Sequence, residues 1–440
     1  MGHMVAKDVY RELGTKIDNL HVKAPCNDTF YQILKDLYSS EEAELIVKMP
    51  YVLSGLDRIQ RITGIDKPKL EKILDDLCHK GLVMDMWLDG EYKYMPSPLF
   101  VGIFEFTMMR LGGGVDFKRI GRLFFDYMEE GAPFRSNFPD KAQLSIARAV
   151  PHEEAIGDHV EILEYERVTA LIDESDKYSV GNCSCRHKLD HVGQDRCDVP
   201  LNTCTSLGRG ADYLIRNNMA HEISRTEMKE IFARSREMGL VFSADNVQKR
   251  ITFVCHCCSC CCSIMHGINV LGLPQTLVTS NFIASVDEME CTGCKKCVKA
   301  CPINAIELVP VDSSGPNETK KKKRKKRAQI DTAFCLGCGV CTLTCSTKSL
   351  KLVRREQRVI HPETTFERVI LQCLERGTLQ NQIFDNPQSK TQEFMRHLIG
   401  GFFRLSPVKK TLMSDSLRST FLRTMAAGVK LTGKGYVTQV

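Results

Sequence analysis

A four-cysteine motif occurs twice in the chain, 44 residues apart, and it limits the possible folds more than any other feature of the sequence. The two copies consist of Cys291, Cys294, Cys297 and Cys301, and of Cys335, Cys338, Cys341 and Cys345. Each copy has the spacing C-x2-C-x2-C-x3-C, in which three thiolates bind one four-iron cube and the fourth reaches a neighbouring cluster. An apolar, strand-like stretch follows each copy (AIELV and SLKLV). The duplication predicts two [4Fe–4S] clusters that carry low-potential electrons.

This segment, from about residue 284 to 353, resembles the bacterial two-cluster ferredoxins. The resemblance implies a duplicated ferredoxin-like fold and two ligand sets, namely Cys291, Cys294, Cys297 and Cys345 for one cluster, and Cys335, Cys338, Cys341 and Cys301 for the other. Two features depart from the family, because Ser346 replaces the usual proline and a basic insertion separates the halves. Zinc sites use paired C-x2-C units with a long gap, so the triple spacing fits zinc poorly.

Ten further cysteines lie in the middle of the chain. They are Cys183, Cys185, Cys197 and Cys204, followed in the run CHCCSCCC by Cys255, Cys257, Cys258, Cys260, Cys261 and Cys262. Metal ligation explains them better than packing, since free thiols at this density would oxidise readily. Side chains alternate between the two faces of a strand, so the run cannot direct every thiol to one site. We predict at least one additional iron–sulfur cluster here; two four-iron clusters, one larger irregular cluster, a zinc site and unligated redox thiols are the alternatives.

Several polar residues beside these cysteines are candidates for supporting roles. Arg186 and Arg209 could pair with a cluster's negative charge or with an anionic substrate, or could form surface salt bridges. His256, His187 and His191 could join as ligands, although a histidine beside cysteines more often donates a hydrogen bond to sulfur. The isolated Cys26, Cys78 and Cys373 are expected to be core residues.

The sequence predicts an α+β multidomain protein with four regions. They are a helical, winged-helix-like domain (1–112), a cysteine-rich mixed domain (113–280), a ferredoxin-like two-cluster domain (281–355, with the basic insertion 312–329) and a helical C-terminal region (356–440). In the first region a helix begins after Asp66 as its cap and ends at Gly81, and a hairpin turns at Asp89-Gly90. The order of the regions is similar to that of large multidomain ferredoxin-type iron–sulfur proteins of anaerobic bacteria.

Local patterns add three further expectations. SRTEMKEIFARSREMGL predicts a helix with a capping box of Ser224 and Glu227, and KRITFV predicts a strand just before the cysteine run. The helix from Phe394 to Leu405 is amphipathic, and we expect its apolar face to pack against the protein's own core, with a membrane surface as the alternative.

The charge and the N-terminal sequence bear on location and partners. The run Lys320–Arg327 supplies eight positive charges of a chain whose net charge is +6, so the remainder is slightly acidic and an evenly basic nucleic-acid surface is not indicated. The run could bind nucleic acid, an acidic protein or anionic lipid, or could simply be a solvated loop. The N-terminus lacks the pattern of a signal peptide, and no apolar stretch is long enough to span a membrane, so we expect a cytoplasmic protein.

Three functions fit this sequence. The first is an electron carrier that passes electrons through the clusters to a partner oxidoreductase. The second is a reductase that binds its substrate at a cluster in the middle region, beside the cysteine run. The third is a redox-sensing regulator that binds DNA through the winged helix. No dinucleotide-binding or phosphate-binding glycine motif is present, so a nucleotide or flavin site has no support in the sequence.

Overall fold

The computed structural model combines helices with small sheets, as predicted for the chain. It describes residues 8–112, 114–139, 142–156, 161–194, 196–311 and 326–440. Most of the run Lys320–Arg327 and of the insertion 312–329 lies outside these residues. Within the described ranges, no helix is long and apolar enough to cross a membrane.

The N-terminal region contains helices and a small antiparallel sheet. Its elements are α1 (Val9–Asp18), α2 (Asp28–Leu37), α3 (Ser40–Lys48), β1 (Ser54–Gly55), α4 (Leu56–Thr63), α5 (Lys67–Lys80), β2 (Val83–Leu88), β3 (Glu91–Pro96), α6 (Phe104–Met109), α7 (Phe117–Glu129) and α8 (Ala132–Asn137). Gly81 ends α5 as predicted, and β2 and β3 form the predicted hairpin around Asp89-Gly90. Asp66 precedes α5, but its side chain caps no N–H among the described residues, so that detail is wrong. The sheet order is β1-β3-β2; the winged-helix assignment stays a prediction.

The middle region forms a larger antiparallel sheet with helices around it. Its elements are β4 (Ala147–Val150), α9 (Val168–Glu174), β5 (Tyr178–Asn182), α10 (Ser184–Val192), β6 (Asn202–Leu207), α11 (Gly208–Arg216), β7 (Ala220–Glu222), α12 (Arg225–Glu237), β8 (Val241–Asp245), β9 (Phe253–Cys257) and α13 (Ser263–Asn269). Their order in the sheet is β4-β8-β9-β6-β5-β7. The capping box of Ser224 and Glu227 at the start of α12 is confirmed. The strand predicted by KRITFV begins only at Phe253, and as β9 it lies in the interior of the sheet.

The cysteine-motif region contains two pairs of short antiparallel strands. Its elements are β10 (Phe282–Val286), α14 (Lys296–Ala300), β11 (Ile306–Pro310), β12 (Lys326–Ile330), α15 (Val340–Leu343) and β13 (Leu350–Arg354). β10 pairs with β13, and β11 pairs with β12, both antiparallel. Each motif therefore leads through a short helix into a strand, and the two halves have the same order of elements.

The C-terminal region is helical, as predicted. Its helices are α16 (Thr365–Arg376), α17 (Leu379–Ile383), α18 (Lys390–Arg404), α19 (Ser406–Met413) and α20 (Asp415–Leu431). α16 and α20 share one hydrophobic cluster, whereas α18 leaves much of its apolar face in solvent. Phe394, Leu398, Phe402 and Leu405 are 65%, 58%, 54% and 53% exposed. The expected packing of this face against the core is therefore wrong for these four side chains.

One hydrophobic core extends from Leu13 in α1 to Val340 in α15. It includes residues of the N-terminal helices, the middle sheet and the second cysteine motif, so these three regions pack on one another. Cys78 and Cys373 are buried, as predicted for core residues, and Cys26 packs against the same core while remaining half-buried.

Candidate metal centres

The structure brings together four cysteines from both copies of the duplicated motif. This outer set, Cys291, Cys294, Cys297 and Cys345, lines one small cavity. Cys294 is exposed to solvent, while Cys291 and Cys297 are buried. The grouping is the one that the ferredoxin resemblance implies, with the last cysteine of the second copy crossing over to the first.

The remaining four cysteines of the duplication form a second, more buried group. This inner set consists of Cys301, Cys335, Cys338 and Cys341. Burial raises the pKa of Cys338, and the nearby thiols of Cys341, Cys335 and Cys301 raise it further. Burial raises the pKa of Cys341 to about 12, again with contributions from Cys335 and Cys301. Binding a cluster would remove this penalty, because the metal takes the deprotonated thiolate.

Equivalent glycines hold the two cysteine loops against their strands. Gly293 and Gly337 occupy the same motif position and have φ angles of 67° and 68°, which glycine adopts without strain. A Cβ atom at Gly293 would collide with the carbonyl oxygen of Lys326, and one at Gly337 with that of Phe282. Both the left-handed backbone and the close approach therefore require glycine here.

Hydrogen bonds to sulfur support both sets. The Ala328 N–H donates to Cys291 Sγ at 3.4 Å, and the Ala305 N–H donates to Cys301 Sγ at 3.2 Å. Burial would raise the pKa of Cys345, but hydrogen bonds from Ser349, Thr347 and the backbone outweigh it and lower this pKa to about 7. N–H and O–H donors that face a thiolate stabilise its charge and tune the potential of a bound cluster.

The ten middle cysteines separate into two groups that do not follow their order in the sequence. The compact set, Cys197, Cys258, Cys260 and Cys261, has all four sulfur atoms within 4.8 Å of one another. The cavity set comprises Cys183, Cys185, Cys204, Cys255, Cys257 and Cys262, which line a single cavity; Cys258 and Cys261 of the compact set also reach its wall. The run therefore contributes three cysteines to each set. Cys255 and Cys257 lie on one face of β9 and both belong to the cavity set, so the division between the sets falls in the turn after the strand.

Mutual interactions connect the members of the cavity set. The contact between the Cys183 and Cys185 thiols lowers the pKa of Cys185 and raises that of Cys183. Cys262 also contacts Cys185, and Cys255 contacts Cys204, and the pKa values of Cys262 and Cys255 are raised. Six thiols that face one another in a buried space form a site that can bind an iron–sulfur cluster.

The wall of this cavity opposite the cysteines comes from α6 and the segment before it. Glu105 lies there with Phe100 and Phe106. Burial raises the pKa of Glu105 to about 8, and the charge of Cys185 adds to the effect. The sequence does not indicate a role for Glu105, because nothing in the pattern FEFTMM shows that a segment 80 residues before Cys185 folds against it.

Arg186 lies between the compact set and the cavity set. Its guanidinium donates to Cys258 Sγ at 3.4 Å, to the His256 carbonyl at 2.9 Å and to Thr203 Oγ1 at 2.7 Å. Burial alone would lower the pKa of Arg186, but the thiols of Cys183 and Cys258 outweigh it and raise this pKa. Arg186 is thus a buried positive charge that can balance thiolates on both sides.

The other polar candidates have different roles. Arg209 donates to the backbone carbonyl of Gln439 at 2.8 Å and so fastens the C-terminus. The His256 ring bonds to Thr205 and meets Phe242 edge to face, with ring centroids 5.3 Å apart. His187 interacts with the Met108 carbonyl and with His191. The predicted contacts of these histidines with sulfur are not among their hydrogen bonds in the described part of the chain.

The inner set packs directly on the middle sheet. The His152 N–H donates to the Cys338 carbonyl at 3.0 Å, and the side chain of Asn269, at the end of α13, donates to the Pro302 carbonyl at 2.9 Å. The His152 ring packs at a tilt against Phe242, with centroids 4.5 Å apart. Cys338, Cys257 and Cys262 belong to one hydrophobic cluster. The second ferredoxin-like loop therefore contacts the middle region at the residues that follow β4.

Comparison with known proteins identifies one part of the chain. Residues 290–349 match the family model described as a 4Fe-4S dicluster domain. These residues form a ferredoxin-type domain, and the match supports [4Fe–4S] clusters in it and a role in iron–sulfur electron transfer. No curated protein and no solved structure matches the chain.

Proposed function

We propose that the chain is an iron–sulfur electron-transfer protein with a relay of three stations. Electrons enter at a [4Fe–4S] cluster on the outer set, pass to a second one on the inner set, and reach a further cluster held by the cavity set. From there they go to a partner oxidoreductase. The observation that carries the proposal is the contact between the inner set and the middle region, where the His152 N–H donates to the Cys338 carbonyl at 3.0 Å.

The direction of entry follows from exposure and charge. Cys294 of the outer set is exposed, and the exposed Lys295 and Lys296 line its cavity. Further exposed lysines lie close in sequence to the lining residues: Lys299, Lys326, Lys348 and Lys351. Lys326 belongs to the basic run Lys320–Arg327, whose other members add further positive charge in the sequence. A positive surface attracts acidic proteins over long range and orients their approach. We therefore propose an acidic redox protein as the partner at this face; DNA binding by residues 1–112 stays a prediction.

A second function, a reductase, has one observation in its favour. The cavity beside the cysteine run is lined by apolar side chains and by Glu105, a carboxyl group with a raised pKa that could supply a proton. The six thiols of the cavity set exceed the four that a cubane needs, so the ligand count does not itself call for an open coordination position. Electron transfer remains the first proposal for that reason.

Metal analysis of anaerobically purified protein tests the relay. We expect about twelve iron atoms and as many acid-labile sulfides per chain, from three four-iron clusters, with interacting EPR signals after reduction. About eight of each would contradict the third station and leave a two-cluster carrier.

A variant separates the relay from mere cluster content. In Cys338→Ala, reduced flavodoxin, an acidic carrier, should no longer reduce the cavity cluster, while the small reductant dithionite should still reduce it directly. Unchanged reduction by flavodoxin in this variant would contradict the proposed path through the inner set.

A further inference from the structure

The compact set differs from the other cysteine groups in how closely its sulfur atoms approach. Cys197 Sγ lies 3.6 Å from Cys258 Sγ and 3.7 Å from Cys261 Sγ, and the Sγ atoms of Cys260 and Cys261 are 3.5 Å apart. Four thiolates bound to one zinc ion at about 2.3 Å occupy the corners of a tetrahedron whose edges are about 3.8 Å. The observed separations agree with this edge.

A cubane would need a wider arrangement. Each thiolate of a four-iron cluster binds a different iron atom, so the ligands surround the whole cube and stand farther apart than the ligands of a single ion. The ferredoxin-type domain provides the internal standard. Among the described residues, the four sulfur atoms of the compact set all lie within 4.8 Å of one another. In the outer set and in the inner set, whose cysteines all lie in the described part of the chain, no three sulfur atoms come that close together.

A disulfide framework does not account for the geometry either. Disulfides join sulfurs in pairs at about 2.05 Å, whereas here four sulfurs approach one another and the cysteines are free thiols. Mutual approach of four thiols without a shared ion is unfavourable once they ionise, since like charges repel.

The surroundings supply what a four-thiolate ion site requires. The N–H groups of Cys261 and Cys197 bond to the sulfurs of Cys258 and Cys261. The buried Arg186 faces the thiols of Cys258 and Cys197, and its charge offsets part of the net negative charge that four thiolates leave on a divalent ion. Hydrogen bonds of this kind orient and stabilise metal ligands.

We propose that the compact set binds a single Zn²⁺ ion in a closed tetrahedral site, separate from every iron–sulfur cluster of the chain. The ion ties the loop between α10 and β6, which carries Cys197, to the turn after β9, 61 residues further on. All four positions are occupied by cysteine, so the site has no place for substrate and acts as a structural clamp. By holding the turn, the zinc ion also fixes the orientation of the neighbouring cysteines that belong to the cavity set.

Metal analysis of the full-length protein, purified without oxygen after growth with zinc and iron, tests this proposal. We expect about one zinc per chain, with X-ray absorption at the zinc edge giving four sulfur neighbours at about 2.3 Å. Because this measurement uses the unaltered protein, it does not depend on the folding of a variant. Absence of zinc, or nitrogen and oxygen neighbours, would overturn the assignment.

A pair of matched variants assigns the zinc to its residues. Cys260→Ser, at the exposed member of the set, should remove most of the zinc and leave acid-labile sulfide unchanged. Cys255→Ser, five residues earlier in the same run and outside the compact set, should leave the zinc content unchanged. Loss of sulfide in Cys260→Ser would overturn the single-ion site, and loss of one iron without sulfide would overturn zinc as its occupant. Zinc retained in Cys260→Ser would show that Cys260 is not a ligand.

The zinc proposal and the electron relay fail separately. Normal iron, sulfide and EPR signals with no zinc would overturn the zinc site alone. One zinc ion with eight iron atoms per chain would support the zinc site and contradict the third cluster of the relay.

Discussion

The ferredoxin-type domain and the middle region use cysteine in opposite ways. In the domain, eight cysteines follow a repeated spacing, and the ligand sets can be assigned once the motif is recognised. In the middle region, adjacent cysteines such as Cys257 and Cys258 belong to different sets, while Cys197 joins residues that are far away in sequence. Cysteine spacing predicts which residues share a cluster where one loop wraps around that cluster. The same spacing does not predict the ligand sets where a strand and the turn after it direct their side chains to two different sites.

The largest expected effect comes from removing one cysteine in each region. Cys294→Ala should lose about four iron atoms per chain and destabilise the ferredoxin-type domain, since cluster binding and folding are coupled. Cys257→Ala should leave the EPR signals of the ferredoxin-type domain in place, because Cys257 belongs to the cavity set. Iron and sulfide analysis with EPR checks both variants.

Cys26→Ala is the control, because Cys26 belongs to none of the four sets and should leave the iron content unchanged. The comparison would break if Cys294→Ala kept its full iron content, or if Cys257→Ala abolished the signals of the ferredoxin-type domain.

An intermediate effect is expected from acid, and it tests whether the two cysteine regions lose their clusters together. Burial lowers the pKa of His21 to about 3, with Arg368 and Arg376 adding to the effect. As the pH falls below about 6.5, the unfolded chain gains a proton that the folded chain does not accept. The free energy of unfolding should then fall by about 1.4 kcal/mol per pH unit from this group until the pH approaches 3.

His21→Gln, which stays neutral, should make the protein less sensitive to acid, as measured by thermal unfolding at pH 7 and pH 5.5. Because both cysteine regions contact one core, iron release from them should coincide in each protein. Release from one region well before the other would show that they unfold independently.

The smallest effect is expected at the basic run. Replacing Lys320–Lys325 with serine keeps Lys326 and Arg327, which belong to β12, and should leave iron content unchanged. Binding of reduced flavodoxin should weaken at low ionic strength, and the difference should vanish at high salt, because screening removes long-range attraction. Lys410→Ser, at an exposed lysine of α19, controls for loss of charge elsewhere. Equal affinity at low salt would mean that the run plays no part in docking.

The sequence predicts much of the local structure because the signals are local. The end of α5 at Gly81, the β2–β3 hairpin and the capping box of α12 depend on residues close to one another in the chain. The family match at residues 290–349 likewise rests on short spacings. These features would be recognisable in isolated segments.

The remaining features depend on contacts between distant segments. Arg186 meets Cys258 across 72 residues, and Glu105 joins the cavity set from α6, so no pattern along the chain could reveal either contact. The late start of β9 and the exposed face of α18 are failures of another kind. Apolar periodicity predicts a buried face, but it does not say which partner, if any, covers that face.

The hairpin of β11 and β12 has a practical consequence for work with this protein. Pro310 and Lys326 are paired residues of two antiparallel strands, so the segment between them begins and ends at neighbouring points. The entropy of closing a loop grows slowly with its length, so a long connection here costs little more than a short one. Residues 312–319, which precede the basic run, are therefore the natural place to insert an affinity tag or a fluorescent reporter domain without changing the positions of the cysteine ligands.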